Sequence, residues 1–194
     1  MKKNRCGWCE GTFDQYLQYH DKEWGVPVHD DQKQFEFLVL ESAQAGLSWS
    51  TILKKREGYR EAFAGFDVQK VARFDEQKVR QLLNNPAIIR YELKIRSAIN
   101  NAQRFIDIQN EFGSFDTYIW SFVDGQPIQN NWQSLDEVPA TTPLSDRFSK
   151  DLKKRGFKFV GSTTMYAHLQ ATGAVNDHLT SCFRHAEIAA LVSQ

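Results

Sequence analysis

Residues 35–49 read FEFLVLESAQAGLSW, and the fold follows from how this stretch is read. Its apolar spacing predicts a buried helix with one carboxylate, Glu41, in its wall. The helical neighbours of Glu41 are Phe37, Leu38 and Ala45, so it lies on the side that faces a core. An ionised carboxylate there is costly unless something pairs with it. Two readings stand: a Glu satisfied by a backbone or Arg neighbour, or a carboxylate held in a pocket to meet a polar or cationic ligand. Gly46 ends the helix, and Trp49 sets a large aromatic about one turn beyond Glu41. A carboxylate beside an aromatic suits a flat, nitrogen-rich, charged ligand.

The 194-residue chain is long enough to bury a core, as one domain or two small lobes. Its formal net charge is zero, so any basic footprint for nucleic acid must be local. No apolar run is long enough to cross a bilayer, and MKKNRCGWCEG has no signal-type apolar segment. No membrane partner and a cytoplasmic location are therefore expected. Three cysteines, an odd number, argue against a disulfide framework and for metal ligands or free thiols.

From the N-terminus, RCGWCEG carries a CxxC at Cys6 and Cys9. Taken alone it suggests a redox dithiol or half of a zinc site, and the redox reading lacks the preceding strand it needs. In FDQYLQYHDKEWGVP, Asp14 can cap a short helix that puts Tyr16, Tyr19, His20 and Glu23 on one face. Trp24 follows, with Gly25 and Pro27 as the stop. Such aromatics can be core, or with Trp8 and Trp49 they can line a pocket. Beyond the central helix, Ser48 caps one helix through STILKKREGYREAFAG, and Asp67 and Asp75 cap two more. A long amphipathic helix spans about 90–112, ending before Gly113. Residues 115–123 fit a strand or a short aromatic helix, and 124–143 an irregular connection. The total is eight or more helices with little or no sheet, an all-α class.

Near the C-terminus, Thr142 and Pro143 start a helix through LSDRFSKDLKKRG, FKFVG makes a turn, and STTMYAHLQATG makes a second helix. Two helices joined this way resemble the helix-hairpin-helix motif, at about 145–173. Its turn amides and helix N-terminus, with Lys158, Gly161, Ser162 and Thr163, would meet a DNA phosphate. Lys150, Lys153, Lys154 and Arg155 would add positive field, although solvated cations at a helix end are also common. In NDHLTSC, His178 and Cys182 stand four apart, on one face of a helical turn, at metal-ligand spacing. With Cys6 and His20 they make a tetrahedral Cys2His2 set that would clamp the two ends of the chain. No open coordination position is implied, so the expected zinc is structural.

Taken together, RCGW, YHDKEWGVP, LESAQAGLSW, LKKRGFKFVG and NDHLTSC closely resemble the DNA-3-methyladenine glycosylase I family of the helix-hairpin-helix glycosylase superfamily. The resemblance runs from about residue 5 to residue 182. It implies a helix-hairpin-helix glycosylase fold and hydrolysis of the N-glycosidic bond of 3-methyladenine in double-stranded alkylated DNA, with free 3-methyladenine as product. The family's zinc maps onto Cys6, His20, His178 and Cys182, with Cys9 an extra thiol that leaves the Cys6 assignment open. Its base pocket maps onto Trp8, Tyr19, Glu41 and Trp49, with Trp24 nearby. The expected organisation is a single monomeric unit, 1–194, in two helical lobes: a bundle carrying the hairpin and a zinc lobe from 1–25 and 174–194. Residues 183–194 match no motif.

Two further expectations concern mechanism. Lyase-type members of the superfamily carry a nucleophilic Lys two residues after the last hairpin Gly, where this chain has Thr163. That implies a monofunctional enzyme using water and leaving an abasic site. The superfamily's catalytic Asp aligns with Asn176, with Asp177 displaced by one. Glu41 is then the catalytic candidate, and Asp177 either helps or orients His178. The competing readings are a zinc-stabilised damaged-DNA-binding module without catalysis and, more distantly, a thiol oxidoreductase on Cys6 and Cys9.

Overall fold

The computed structural model describes residues 3–192, so the outermost residues of the expected zinc lobe, 1–2 and 193–194, lie outside the described residues. Helices dominate, as the sequence pattern predicts. Helix α1 is Asp14–Lys22, α2 is Asp31–Gln44, α3 is Trp49–Lys54 and α4 is Arg56–Ala62. Two short helices follow, α5 at Val68–Val71 and α6 at Glu76–Leu83, and then the long α7 at Glu92–Phe112 and α8 at Phe115–Trp120. After an irregular connection come α9 at Pro143–Lys154, α10 at Ser162–Ala171 and α11 at Phe183–Val192.

Helix α2 is the axis of the molecule. Every residue from Gln34 to Ala43 is buried, which is why the stretch has no polar face. Asp30 caps it by accepting from the Lys33 amide at 2.7 Å. Asp31 reaches across instead, accepting from the Phe115 and Asp116 amides at 2.9 and 2.8 Å and so capping α8 from a neighbouring helix. Around α2 the core gathers Phe105 and Ile108 of α7, Phe115 and Tyr118 of α8, Phe148 of α9 and Met165 of α10. Phe105 and Phe115 stack at 4.1 Å between ring centres.

The structure departs from the sequence reading in several places. Phe13, without a side-chain cap, precedes α1, and Asp14 is its first residue, where a carboxylate still meets the positive helix end. The helix read through 50–65 breaks at Lys55 into α3 and α4. Residues 115–123 are helical. The connection contains β1, Ile128–Gln129, which pairs in parallel with β2, Val175–Asn176. Residues 178–182 form a turn rather than a helical turn, closed by the Cys182 amide on the Leu179 carbonyl at 2.8 Å. Of the unmatched tail, Phe183–Val192 folds as α11.

One close approach joins the N-terminal segment to α10. The Gly25 and Val28 amides donate to the Gln170 and Thr172 carbonyls at 3.1 and 3.0 Å. Gly173 lies there at φ +73°, where a Cβ would come within 2.4 Å of the Val26 and Pro27 backbone. Gly173→Ala should therefore destabilise the protein by about 1–3 kcal/mol, read as a lower denaturant midpoint.

Candidate active site

Helix α1 with the segments on either side of it, the inner face of α2, the start of α3, the end of α10 and the connection before α9 border a cavity of about 350 Å³. Six residues that the sequence offered for a pocket, Trp8, Tyr16, Tyr19, Trp24, Glu41 and Trp49, border it. Tyr19 and Trp49 lie 5.3 Å apart between ring centres, and Trp8 and Trp24 5.0 Å apart, edge to face. The walls are thus ring faces and edges, the surfaces that hold a flat aromatic ligand.

Two glutamates of α2 are buried, and their surroundings differ. Glu36 meets Arg56 at 2.8 Å, Arg60 at 2.9 Å and Lys33 at 3.0 Å. Burial raises its pKa, but the bonds and charge of Arg56, then Lys33, more than offset this and leave it lowered. Glu41 is 4% exposed and has no ion pair or hydrogen bond among the described residues. Burial alone acts on it, pushing its carboxyl up to about 8. Glu36 is therefore a structural charge. Glu41 is a carboxylate whose partner must come from the cavity.

Beside the cavity, Cys6, His20, His178 and Cys182 converge from the two ends of the chain, all buried, with their donor atoms within 4.8 Å of one another. The Cys182 sulfur lies 3.5 Å from His20 Nε2 and 3.6 Å from His178 Nδ1, and the Cys6 sulfur lies 3.6 Å from His178 Nδ1. The other ring nitrogens are held: His20 Nδ1 by Asp21 at 2.8 Å, His178 Nε2 by the Trp24 carbonyl at 3.0 Å. Arg5 fixes Asp21 in turn with two bonds of 2.8 and 2.7 Å. Two soft sulfurs and two oriented imidazoles fit a tetrahedral metal ion. Cys9 is excluded from this set. Its thiol donates to the Cys6 carbonyl at 3.1 Å, and burial pushes it up to about 11, which disfavours the thiolate that a redox dithiol requires.

The cluster also shapes the cavity. The Trp24 ring stands edge-on to His178 at 4.6 Å and Trp8 to His20 at 5.1 Å, and His20 follows Tyr19 on α1. At Gly25, φ +81°, a Cβ would press on His178 Nε2 at 3.1 Å.

The α9–α10 hairpin lies next to α2. The carbonyls of Lys158, Phe159 and Val160 accept from Asn101 at 2.9 Å, Ser42 at 3.3 Å and Ser149 at 2.6 Å. Gly161 precedes α10 without a side-chain cap, so the first-turn amides of Ser162 and Thr163 are not consumed by one. Ser162 turns its hydroxyl to Ser145 at 2.8 Å. Lys150, Lys153, Lys154 and Lys158 are exposed. Arg155 is not available with them, because it pairs with Glu111 at 2.6 Å and Asp151 at 2.7 Å.

Several cavity residues escaped the sequence reading: Gln44, Gln170, Ala167, Leu135, Val138 and, as a wall residue, Asp177. Gln44 lies three residues after Glu41 on the same helix face and was within reach of that argument. Leu135 and Val138 sit in the irregular connection, which has no period to betray an inward side chain. Asp177 does not orient His178, whose free nitrogen is held by Trp24.

Comparison with known proteins agrees with this geometry. The family model of methyladenine glycosylase matches residues 8–185. DNA-3-methyladenine glycosylase 1 of Escherichia coli (strain K12) is 48% identical over 178 residues, 92% of this chain and 95% of the relative. A crystal structure of a 3-methyladenine DNA glycosylase I superposes with a TM-score of 0.90 at 50% identity, covering 93% of this chain and 98% of the other. A variant of such an enzyme in complex with 3-methyladenine gives 0.89 at 38% identity, covering 93% and 96%. The chain belongs to the methyladenine glycosylase family and is a DNA-3-methyladenine glycosylase I type of enzyme, a glycosylase for alkylated bases.

Proposed function

We propose that the enzyme hydrolyses the N-glycosidic bond of 3-methyladenine in alkylated duplex DNA, without strand cleavage, and leaves an abasic site. The observation that carries this reading is Glu41, a buried carboxylate with no partner in an aromatic cavity. A duplex hides the damaged base, so the nucleotide must be flipped into such a cavity. Methylation at N3 makes the base in the nucleotide a cation, which ring faces and a carboxylate attract. Its arrival offsets the cost of ionising Glu41, and the carboxylate then accepts hydrogen bonds from the base. The C–N bond breaks with its electron pair going to the base, which leaves neutral. Water adds to the oxocarbenium-like sugar and releases a proton. A leaving group already charged needs no general acid, and with Thr163 where a lyase has Lys there is no amine to form a covalent adduct.

The α9–α10 hairpin serves as a helix-hairpin-helix phosphate site, with the Gly161, Ser162 and Thr163 amides as donors and Lys158 beside them. Leu47, 41% exposed in the turn between α2 and α3, would fill the gap that the flipped base leaves. Cys6, His20, His178 and Cys182 would hold a structural zinc, which would supply a rigid crosslink and no catalytic water. The two ends so joined form a smaller lobe against the helical bundle.

Glu41→Gln should lower release of 3-methyladenine from methylated duplex DNA by about 100-fold while duplex binding persists. Folded wild-type protein that binds the duplex and frees no base would leave only a binding module. The same variant has a stability signature. The folded pKa of Glu41, about 8, lies above its unfolded value, so the wild type pays no ionisation cost at low pH and loses stability as pH rises toward 8. Glu41→Gln should thus gain on the wild type across that window, on the order of 4 kcal/mol at its upper end, in urea unfolding at several pH values. Elemental analysis should find one zinc per chain. Cys182→Ser should lose the metal and melt about 10 °C lower.

A further inference from the structure

The most heavily bonded polar group at the cavity is one that the reaction above does not use. Asp177 is 3% exposed. Its Oδ1 accepts from Asn130 Nδ2 at 2.6 Å and Trp132 Nε1 at 2.8 Å. Its Oδ2 accepts from Gln170 Nε2 at 2.8 Å and from the Tyr166 hydroxyl. Two donors come from α10 and two from the connection that also supplies Leu135 and Val138 to the cavity wall.

An ionised carboxylate offers about four lone-pair sites, and four donors fill them. A proton on Oδ1 would face an N–H that cannot accept it, and one on Oδ2 would have to turn the Tyr166 hydroxyl away, so the donor set fits the anion. No Lys, Arg or His among the described residues pairs with it. Dipoles alone hold the charge, in surroundings where a charge is felt over several ångströms. With its lone pairs taken, Asp177 has none left to accept from a base or to activate water. That separates it from Glu41, whose oxygens are free.

We propose that Asp177 is a specificity-determining residue: a fixed negative charge in the cavity wall that makes the cavity prefer a cationic purine without hydrogen-bonding to it. The proposal rests on the base-pocket reading above. It divides recognition between a carboxylate that touches the base and one that sets the field around it.

The test uses two small probes: 3,9-dimethyladeninium, a permanent cation whose N9 methyl stands for the sugar, and neutral 9-methyladenine. Their dissociation constants are measured by tryptophan fluorescence or calorimetry for the full chain. The wild type should prefer the cation, and Asp177→Asn should shrink the cation-to-neutral affinity ratio by about tenfold. A loosened wall would weaken both probes and leave the ratio alone, so an unchanged ratio in folded Asp177→Asn overturns the proposal. Should that variant not fold, Glu41→Gln gives an independent reading. A residual preference for the cation is expected there, and its complete loss also overturns the proposal. If neither probe binds the wild type, the base-pocket reading falls and takes this inference with it.

Discussion

Ionising a carboxylate inside a helix that is buried all round has to be offset by something, and at Glu41 the protein offers nothing. The rest of the molecule is arranged around that constraint. Five residues before it on the same helix, Glu36 has three cations and settles into the fold. Glu41 has aromatic walls and a cavity, so its charge becomes favourable only with a ligand that carries the opposite sign. In the proposed mechanism, selectivity for a damaged base follows from this deficit in the empty protein, because an undamaged, neutral adenine does nothing to relieve it.

A constraint of a second kind keeps the walls in place. Trp8 and Trp24 lean on the imidazoles of His20 and His178, so the Cys and His cluster works as a clamp on the side of the cavity that has little hydrophobic core behind it. Backbone bonds from Gly25 and Val28 to the end of α10 tie the same segment to the helical bundle. The cavity walls are therefore held from two directions, one by the Cys and His cluster and one by ordinary packing.

The sequence made much of this legible where chemistry and period coincide. A lone carboxylate in an apolar helical pattern marked Glu41, and the count and type of ligands marked the four residues that the structure brings together. Geometry beyond the local chain was hidden. Nothing near residue 36 shows that Arg56 will pair with Glu36, so sequence alone could not say which buried glutamate lacked a partner. The spacing of His178 and Cys182 fits a helical turn and a tight turn equally, and the backbone took the second. Leu135, Val138 and two of the four donors to Asp177, Asn130 and Trp132, come from a connection without period, where inward and outward side chains look alike. Arg155 looked like part of a basic surface because its acidic partner Glu111 is distant in sequence.

The contact between Cys6 and His178 spans 172 positions of the chain, and this bears on how the protein is made. Closing so long a loop is slow and entropically costly, and it cannot begin before the C-terminal residues have left the ribosome. Until then Trp8, Tyr19 and Trp24 have no clamp to lean on, while α2 and its helical neighbours already have most of their core partners. In the proposed function, the competence to hold a base accordingly waits until residues 178 and 182 have joined Cys6 and His20. A polypeptide truncated near its end can bury much of its core and still have no place to hold a base.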